Sequence, residues 1–177
     1  KPEEFIPFDW SFQNAENLSF DNDSFDYVVI HAAIHHASLP HKVLTEMYRV
    51  ARKGVLAFES RDSFLMRFLE KFHLTQVYEH AAVHYNNGKH GGRNNTEIPN
   101  FVYRWTEREV IKLMKSFRPE LKHKIFFDYD HQIKFTNSKL INLLFNIFFM
   151  IFKKQKNLLS IYINKNEKNL EYNNWIK

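Results

Sequence analysis

The chain has 177 residues, enough for one hydrophobic core of ordinary size, and that length favours a single domain. Hydrophobic residues at 44% and aromatics at 16% exclude a disordered composition, and the absence of Cys excludes disulfides, thiolate metal sites and cysteine nucleophiles, as fits a reducing, cytoplasmic compartment. The formal charge of +5 is uneven, because residues 134–177 carry 8 basic and 2 acidic side chains; this tail reads as a solvated Lys/Asn-rich surface or a contact for an anionic partner.

Lys1-Pro2-Glu3-Glu4 opens without Met and without a signal-peptide pattern, and this start reads as that of a fragment. Residues 5–13 read as a short strand interrupted by Pro7, weighted to 10–13. After a polar turn, Tyr27-Val28-Val29-Ile30 is a short β-branched run of the kind buried on both faces of a parallel sheet, and it predicts a central strand. Pro40 suits the first turn of a helix, in which Val43, Leu44, Met47, Val50 and Ala51 recur at helical spacing and which Gly54 is expected to end. Val55-Leu56-Ala57-Phe58 completes a βαβ unit.

Further on, residues 64–72 read as a helix and 85–100 as a long polar loop, of a length that is usually functional or mobile. Thr106 and Glu109 form a capping box that starts a helix running to about Phe117 before Pro119. A strand is expected at 124–129, a very apolar helix at 138–152 and a last strand at 158–163. The apolar helix is too short to span a bilayer, so it reads as buried; its flanking Lys134, Lys139, Lys153, Lys154 and Lys156 leave peripheral membrane contact through 139–156 as the alternative.

Asn14 to Phe20, Ser24 to Val29, His31 to His36 and Glu46 to Gly54 together resemble segments of the class I S-adenosylmethionine-dependent methyltransferases of the type 11 kind. Asn14-Ala15-Glu16-Asn17-Leu18-Ser19-Phe20 resembles the family's Asp-Ala-Glu-x-Leu-Pro-Phe, with Asn14 in place of the acid; Ser24-Phe25-Asp26-Tyr27-Val28-Val29 resembles its lead into the fourth strand, and His31-Ala32-Ala33-Ile34-His35-His36 the exit. Glu46 to Gly54 resembles the scaffold segment Glu-x-x-Arg-Val-Leu-Arg-Pro-Gly-Gly. The resemblance implies a Rossmann-like α/β sheet, mostly parallel with an antiparallel C-terminal strand. It also implies N-terminal truncation, with the first two strands and the glycine-rich motif missing. The expected organisation is one partial domain over 1–177, with core motifs at 10–60, a variable acceptor region at 61–120 and a strand-helix-strand with basic tail at 121–177.

The same resemblance implies that Asn14, Ala15, Glu16, His31 and Ala32 contact S-adenosylmethionine, and that His35 and His36 lie close to the methyl acceptor. Methyl transfer from a sulfonium needs donor and nucleophile held together and, for a hydroxyl or ammonium acceptor, a base. His35 or His36 could be that base, or could pack and cap locally. Glu59 and Arg61 could orient substrate, the alternative being an Arg-Asp surface pair with Asp62; Tyr85, Arg93, Tyr103 and Arg104 could form an acceptor lid, or an aromatic cluster. His80 and His84 have helical HxxxH spacing but lack the catalytic Glu of a zinc motif, so no metal is assigned.

The expected function is methyl transfer to a small-molecule, lipid or saccharide acceptor, inactive in this chain alone. A non-catalytic remnant that keeps the sheet is the alternative, since the four glycines include no Gly-x-Gly. Nucleic acid is not an expected partner, for no RNA- or DNA-binding motif accompanies the basic tail.

Overall fold

A computed structural model describes residues 9–131 and 138–165. Its main sheet has four strands in the order β1 (Phe25–His31), β2 (Ala51–Ser60), β6 (Leu158–Asn164) and β5 (Lys124–Asp130). β1 and β2 pair in parallel, while β6 runs antiparallel to both β2 and β5. Three strands therefore share one direction and the C-terminal one opposes them, as the resemblance implies. A two-stranded antiparallel ribbon, β3 (Tyr78–Glu79) with β4 (Asn100–Phe101), stands apart.

Between β1 and β2 runs α1 (Pro40–Val50), which starts with Pro in its first turn and turns Val43, Leu44, Met47, Tyr48 and Val50 inward. Its end is at Val50, where Ala51 leaves helical geometry, and not at Gly54. Gly54 lies inside β2. A Cβ there would meet the Tyr162 ring at 2.8 Å and the Ile163 carbonyl at 3.0 Å, so the small residue serves the close approach of β6 rather than a helix stop.

α4 (Glu107–Phe117) forms as its capping box predicts, with Thr106 Oγ1 accepting from Glu109 N and the Glu109 carboxylate returning to Thr106 N. It shares with α1 and one face of the sheet a core that includes Leu44, Tyr48, Val55, Trp105, Val110 and Ile161. Burying a Leu- or Ile-sized side chain contributes roughly 1.5–3 kcal/mol, so this single layer is what holds the strands in register.

Three further expectations are corrected. Residues 10–13 form no strand; the segment reaches only an isolated bridge between Asn14 and Asn17. β1 is an edge strand among the described residues and not a central one, because no strand pairs with its outer side, and Val29 is 62% exposed. The apolar helix, α5 (Lys139–Ile151), is not buried: it stands off the end of the sheet between β5 and β6 and contributes only Phe149 to the interior. α2 (Phe64–Lys71), capped by Ser63, and the short α3 (His80–Tyr85) complete the described elements.

Candidate functional site

β1 and β2 end side by side, with His31 opposite Phe58. A turn at Ala32, whose φ of 46° is left-handed, breaks β1, and the chain folds into a short 3-10 turn, Ile34–His36. The N–H groups of Ala33 and Ile34 would be unsatisfied here, yet each donates at 3.0 Å to Oε1 of Glu59, a fully buried carboxylate on β2. The strand end is thus pinned by an anion under it. The other carboxylate oxygen of Glu59 faces His35 Nδ1 at 3.6 Å, too long for a hydrogen bond but close for charge.

On its other side His35 Nε2 lies 3.2 Å from Glu79 Oε2, which also stands 3.5 Å from His36 Nε2. Glu79 is brought there by pairing with Asn100 in the ribbon, and Asn100 Nδ2 donates to His36 Nδ1 at 2.7 Å and to Gly91 O at 3.3 Å. The carbonyl of Gly91 fixes which end of the Asn100 amide is nitrogen, so His36 Nδ1 accepts and its proton sits on Nε2, toward Glu79. His35, His36 and Glu79 offer three donor atoms within 4.8 Å of one another, the number a metal would want. The tautomer set by Asn100 spends the His36 Nε2 lone pair on a proton, so these residues make a hydrogen-bonded relay rather than a ligand set.

Either neutral tautomer of His35 would point a lone pair at a carboxylate. Burial disfavours the charged ring, but Glu59 and Glu79 together outweigh it and raise its pKa above the ordinary 6.5. For His36, burial and then the charge on His35 when protonated push the pKa down.

His35 also lines a cleft of about 270 Å³ with Ser38, Arg93, Asn100, Phe101 and Tyr103. Arg93 reaches Ser38 Oγ at 3.3 Å, which draws the loop against the β1 exit. The Tyr103 hydroxyl donates to Glu109, and burial together with that carboxylate pushes its pKa up, so it remains a phenol.

The other predicted residues are placed differently. Arg61 is buried, forks onto Glu107 at 2.9 and 3.0 Å, stacks over the Tyr129 ring at 4.9 Å and donates to the Lys154 carbonyl. Asp62 instead pairs with Arg67. Arg104 is held by Glu70 and the Gln76 carbonyl, and Tyr85 is exposed at the end of α3. Asn14 Oδ1 accepts from Glu16 N at 3.0 Å, and Glu16 Oε1 accepts from Leu39 N at 2.9 Å, which carries this turn to the start of α1, beside the β1 exit. His31 and Ala32 are exposed there, but the Ala32 N–H is spent on Phe58 O. Glu46 and Arg49 clamp 18–22 onto α1 through Leu18 and Phe20, a scaffold role.

Glu79 and Asn100 were not legible as site residues. Two-residue strands carry no period, and the only local hint is the polar loop they bracket.

Residues 1–58 match the family model described as a methyltransferase domain. The match spans a third of the chain, and β1, α1 and the start of β2 lie within it. The matched segment contains the Asn14 turn and the whole β1 exit. No curated protein matches the chain. Among solved structures it is similar to a S-adenosylmethionine-dependent methyltransferase from Methanosarcina mazei (16% identity, 86% of this chain and 65% of that one, TM-score 0.49). It is also similar to one from Thermotoga maritima, described as a possible histamine N-methyltransferase (19%, 86% and 61%, 0.44), and to a magnesium protoporphyrin IX methyltransferase from Synechocystis with bound S-adenosylhomocysteine (10%, 87% and 49%, 0.44). The chain spans less than two thirds of the length of each, and superpositions this loose carry no argument about activity.

Proposed function

We propose that this chain belongs to an enzyme that transfers a methyl group from S-adenosylmethionine to a hydroxyl or amine acceptor, with His35 as the base. The observation that carries the proposal is the convergence, at the carboxyl ends of β1 and β2, of the Asn14–Glu16 turn with a histidine flanked by two carboxylates. Open α/β sheets bind ligands at that edge.

The residues fit one end of the cofactor. Ala15 N–H has no partner among the described residues, and Asn14 Oδ1 keeps one lone pair after accepting from Glu16 N, so the turn can meet an adenine edge with one donor and one acceptor. When bound, S-adenosylmethionine supplies a methyl group on an electron-poor sulfur. On transfer the carbon–sulfur pair would return to sulfur, while Asn14 and Ala15 would hold the adenine end. Both ring nitrogens of His35 face carboxylates, so the acceptor's proton reaches Nε2 through Glu79, and Glu59 stabilises the imidazolium that forms. His36, neutral and tied to Asn100, steadies Glu79. Arg93 and Tyr103 line the acceptor cleft; Glu59 and Arg61 act behind it, through His35 and through Glu107 respectively.

A non-catalytic module is the second reading, favoured by the hold of Glu59 and Glu79 on both ring nitrogens of the nearly buried His35. The test is transfer of labelled methyl from S-adenosylmethionine to lipid and small-molecule extracts by the gene product that carries this chain. Label incorporation supports the enzyme; binding of cofactor without incorporation across the panel favours the module.

A further inference from the structure

We infer that α5 and α2 form a docking surface for an anionic lipid bilayer, lying flat in its interface. This inference stands on surface chemistry and is independent of the methyl-transfer reading.

Leu140, Leu144, Ile147 and Ile151 follow one another at spacings of four, three and four, and Leu143 lies three from Leu140 and four from Ile147, so they form a single stripe along α5, and each is between 43% and 65% exposed. Water-soluble helices normally turn such a stripe inward. Here the inward contact is made by Phe149 from the other side, and the stripe faces out. α2 continues the surface: Phe64 and Phe68 are exposed, and Leu65 shares with Ile141, Leu144 and Phe148 an almost wholly apolar cleft of about 410 Å³ between the two helices. An apolar patch built from two helices exceeds what scattered surface residues explain.

Charge selects the occupant. Lys139 stands at one end of α5 and Lys153 and Lys154 at the other, all exposed, and the sequence has no Asp or Glu between Asp130 and Glu167. A second copy of the chain would bring this lysine rim against itself, which opposes self-association. Anionic headgroups meet it instead, while the stripe enters the acyl boundary. The 13 residues of α5 reach about 20 Å at 1.5 Å per residue, short of the roughly 30 Å hydrocarbon core, so the helix lies along the surface. β5 ends at Asp130 and β6 begins at Leu158, so α5 projects from the same carboxyl edge as the β1 exit.

The experiment is co-sedimentation of the gene product with vesicles of phosphatidylcholine alone and of phosphatidylcholine mixed with phosphatidylglycerol. Binding to the mixed vesicles and little to the neutral ones is expected, with each Lys153→Glu or Lys154→Glu substitution costing at least about fivefold. Leu144→Glu with Ile147→Glu, both at exposed positions, should reduce binding at least tenfold while the melting curve is kept. Absence of vesicle binding by the wild type overturns the inference, as does binding indifferent to the Leu144 and Ile147 changes. A concentration-dependent dimer that those changes dissolve, without vesicle binding, also overturns it and assigns the stripe to a second copy.

Discussion

Glu59 and His35 are joined across two strands: one oxygen of the buried carboxylate holds the N–H groups of Ala33 and Ile34, and the other faces His35 Nδ1 at 3.6 Å. A single anion therefore fixes the backbone that carries the histidine and sets the charge of its ring. With His35 as the proposed base, kcat/KM should rise with pH through its raised pKa, placing the ascending limb above 6.5. Glu59→Gln keeps the backbone acceptor and removes one negative charge, so the limb should move down toward 6.5. A limb that stays in place would show that Glu59 does not tune the base.

The same shift has a consequence for stability. His35 has a folded pKa above its unfolded one, so its contribution is fully present below 6.5 and is lost as pH rises through the folded value. Comparing Tm for wild type and His35→Asn across pH should show the largest gap in mild acid and a narrowing gap above the folded pKa; a gap that widens with pH contradicts the assignment.

Arg61, Glu107 and Tyr129 form a connected network beneath α4. Burial alone would raise the Glu107 pKa, but Tyr129 at 2.7 Å and the Arg61 fork hold it below its ordinary value, while burial and Glu107 push the Tyr129 phenol up to about 12. Arg61→Met leaves Glu107 without its cation and should cost about 3 kcal/mol in chemical denaturation. A loss under about 0.5 kcal/mol would place the guanidinium's worth in solvent instead.

Gly54→Ala puts a Cβ 2.8 Å from the Tyr162 ring and 3.0 Å from the Ile163 carbonyl. Tyr162 can yield but the backbone of β6 cannot, so we expect a loss of about 1–3 kcal/mol by thermal melting. Unchanged or raised stability would mean that the β2–β6 approach is not tight.

Much of this was legible because it is local. The β-branched run at Tyr27-Val28-Val29-Ile30, Pro40 at a helix start and the Thr106/Glu109 box each combine a period or a cap with a short range, and β1, α1 and α4 appear where those signals stand. What was not legible depends on distant chain. Gly54 resembles a helix stop until β6 is seen against it, and α5 has the composition of a buried helix although its position off the sheet end leaves it outside. The site divides in the same way. His35 and His36 follow a recognisable strand exit, whereas Glu79 and Asn100 join them through a two-residue pairing across a long loop, which no pattern in the sequence announces.

Asn14 offers a neutral oxygen where a carboxylate would accept a stronger hydrogen bond. Asn14→Asp should therefore tighten S-adenosylmethionine binding severalfold by calorimetry, worth roughly 1 kcal/mol. Weaker binding would remove this turn from the adenine contact.

The most direct measurement compares wild type and His35→Asn in labelled methyl transfer from S-adenosylmethionine, with cofactor affinity followed in parallel by calorimetry. Transfer should fall by about 10²–10⁴-fold while affinity stays within a factor of about two, because His35 serves the acceptor's proton and not the cofactor. A His35→Asn protein that transfers methyl groups as fast as the wild type would contradict the account.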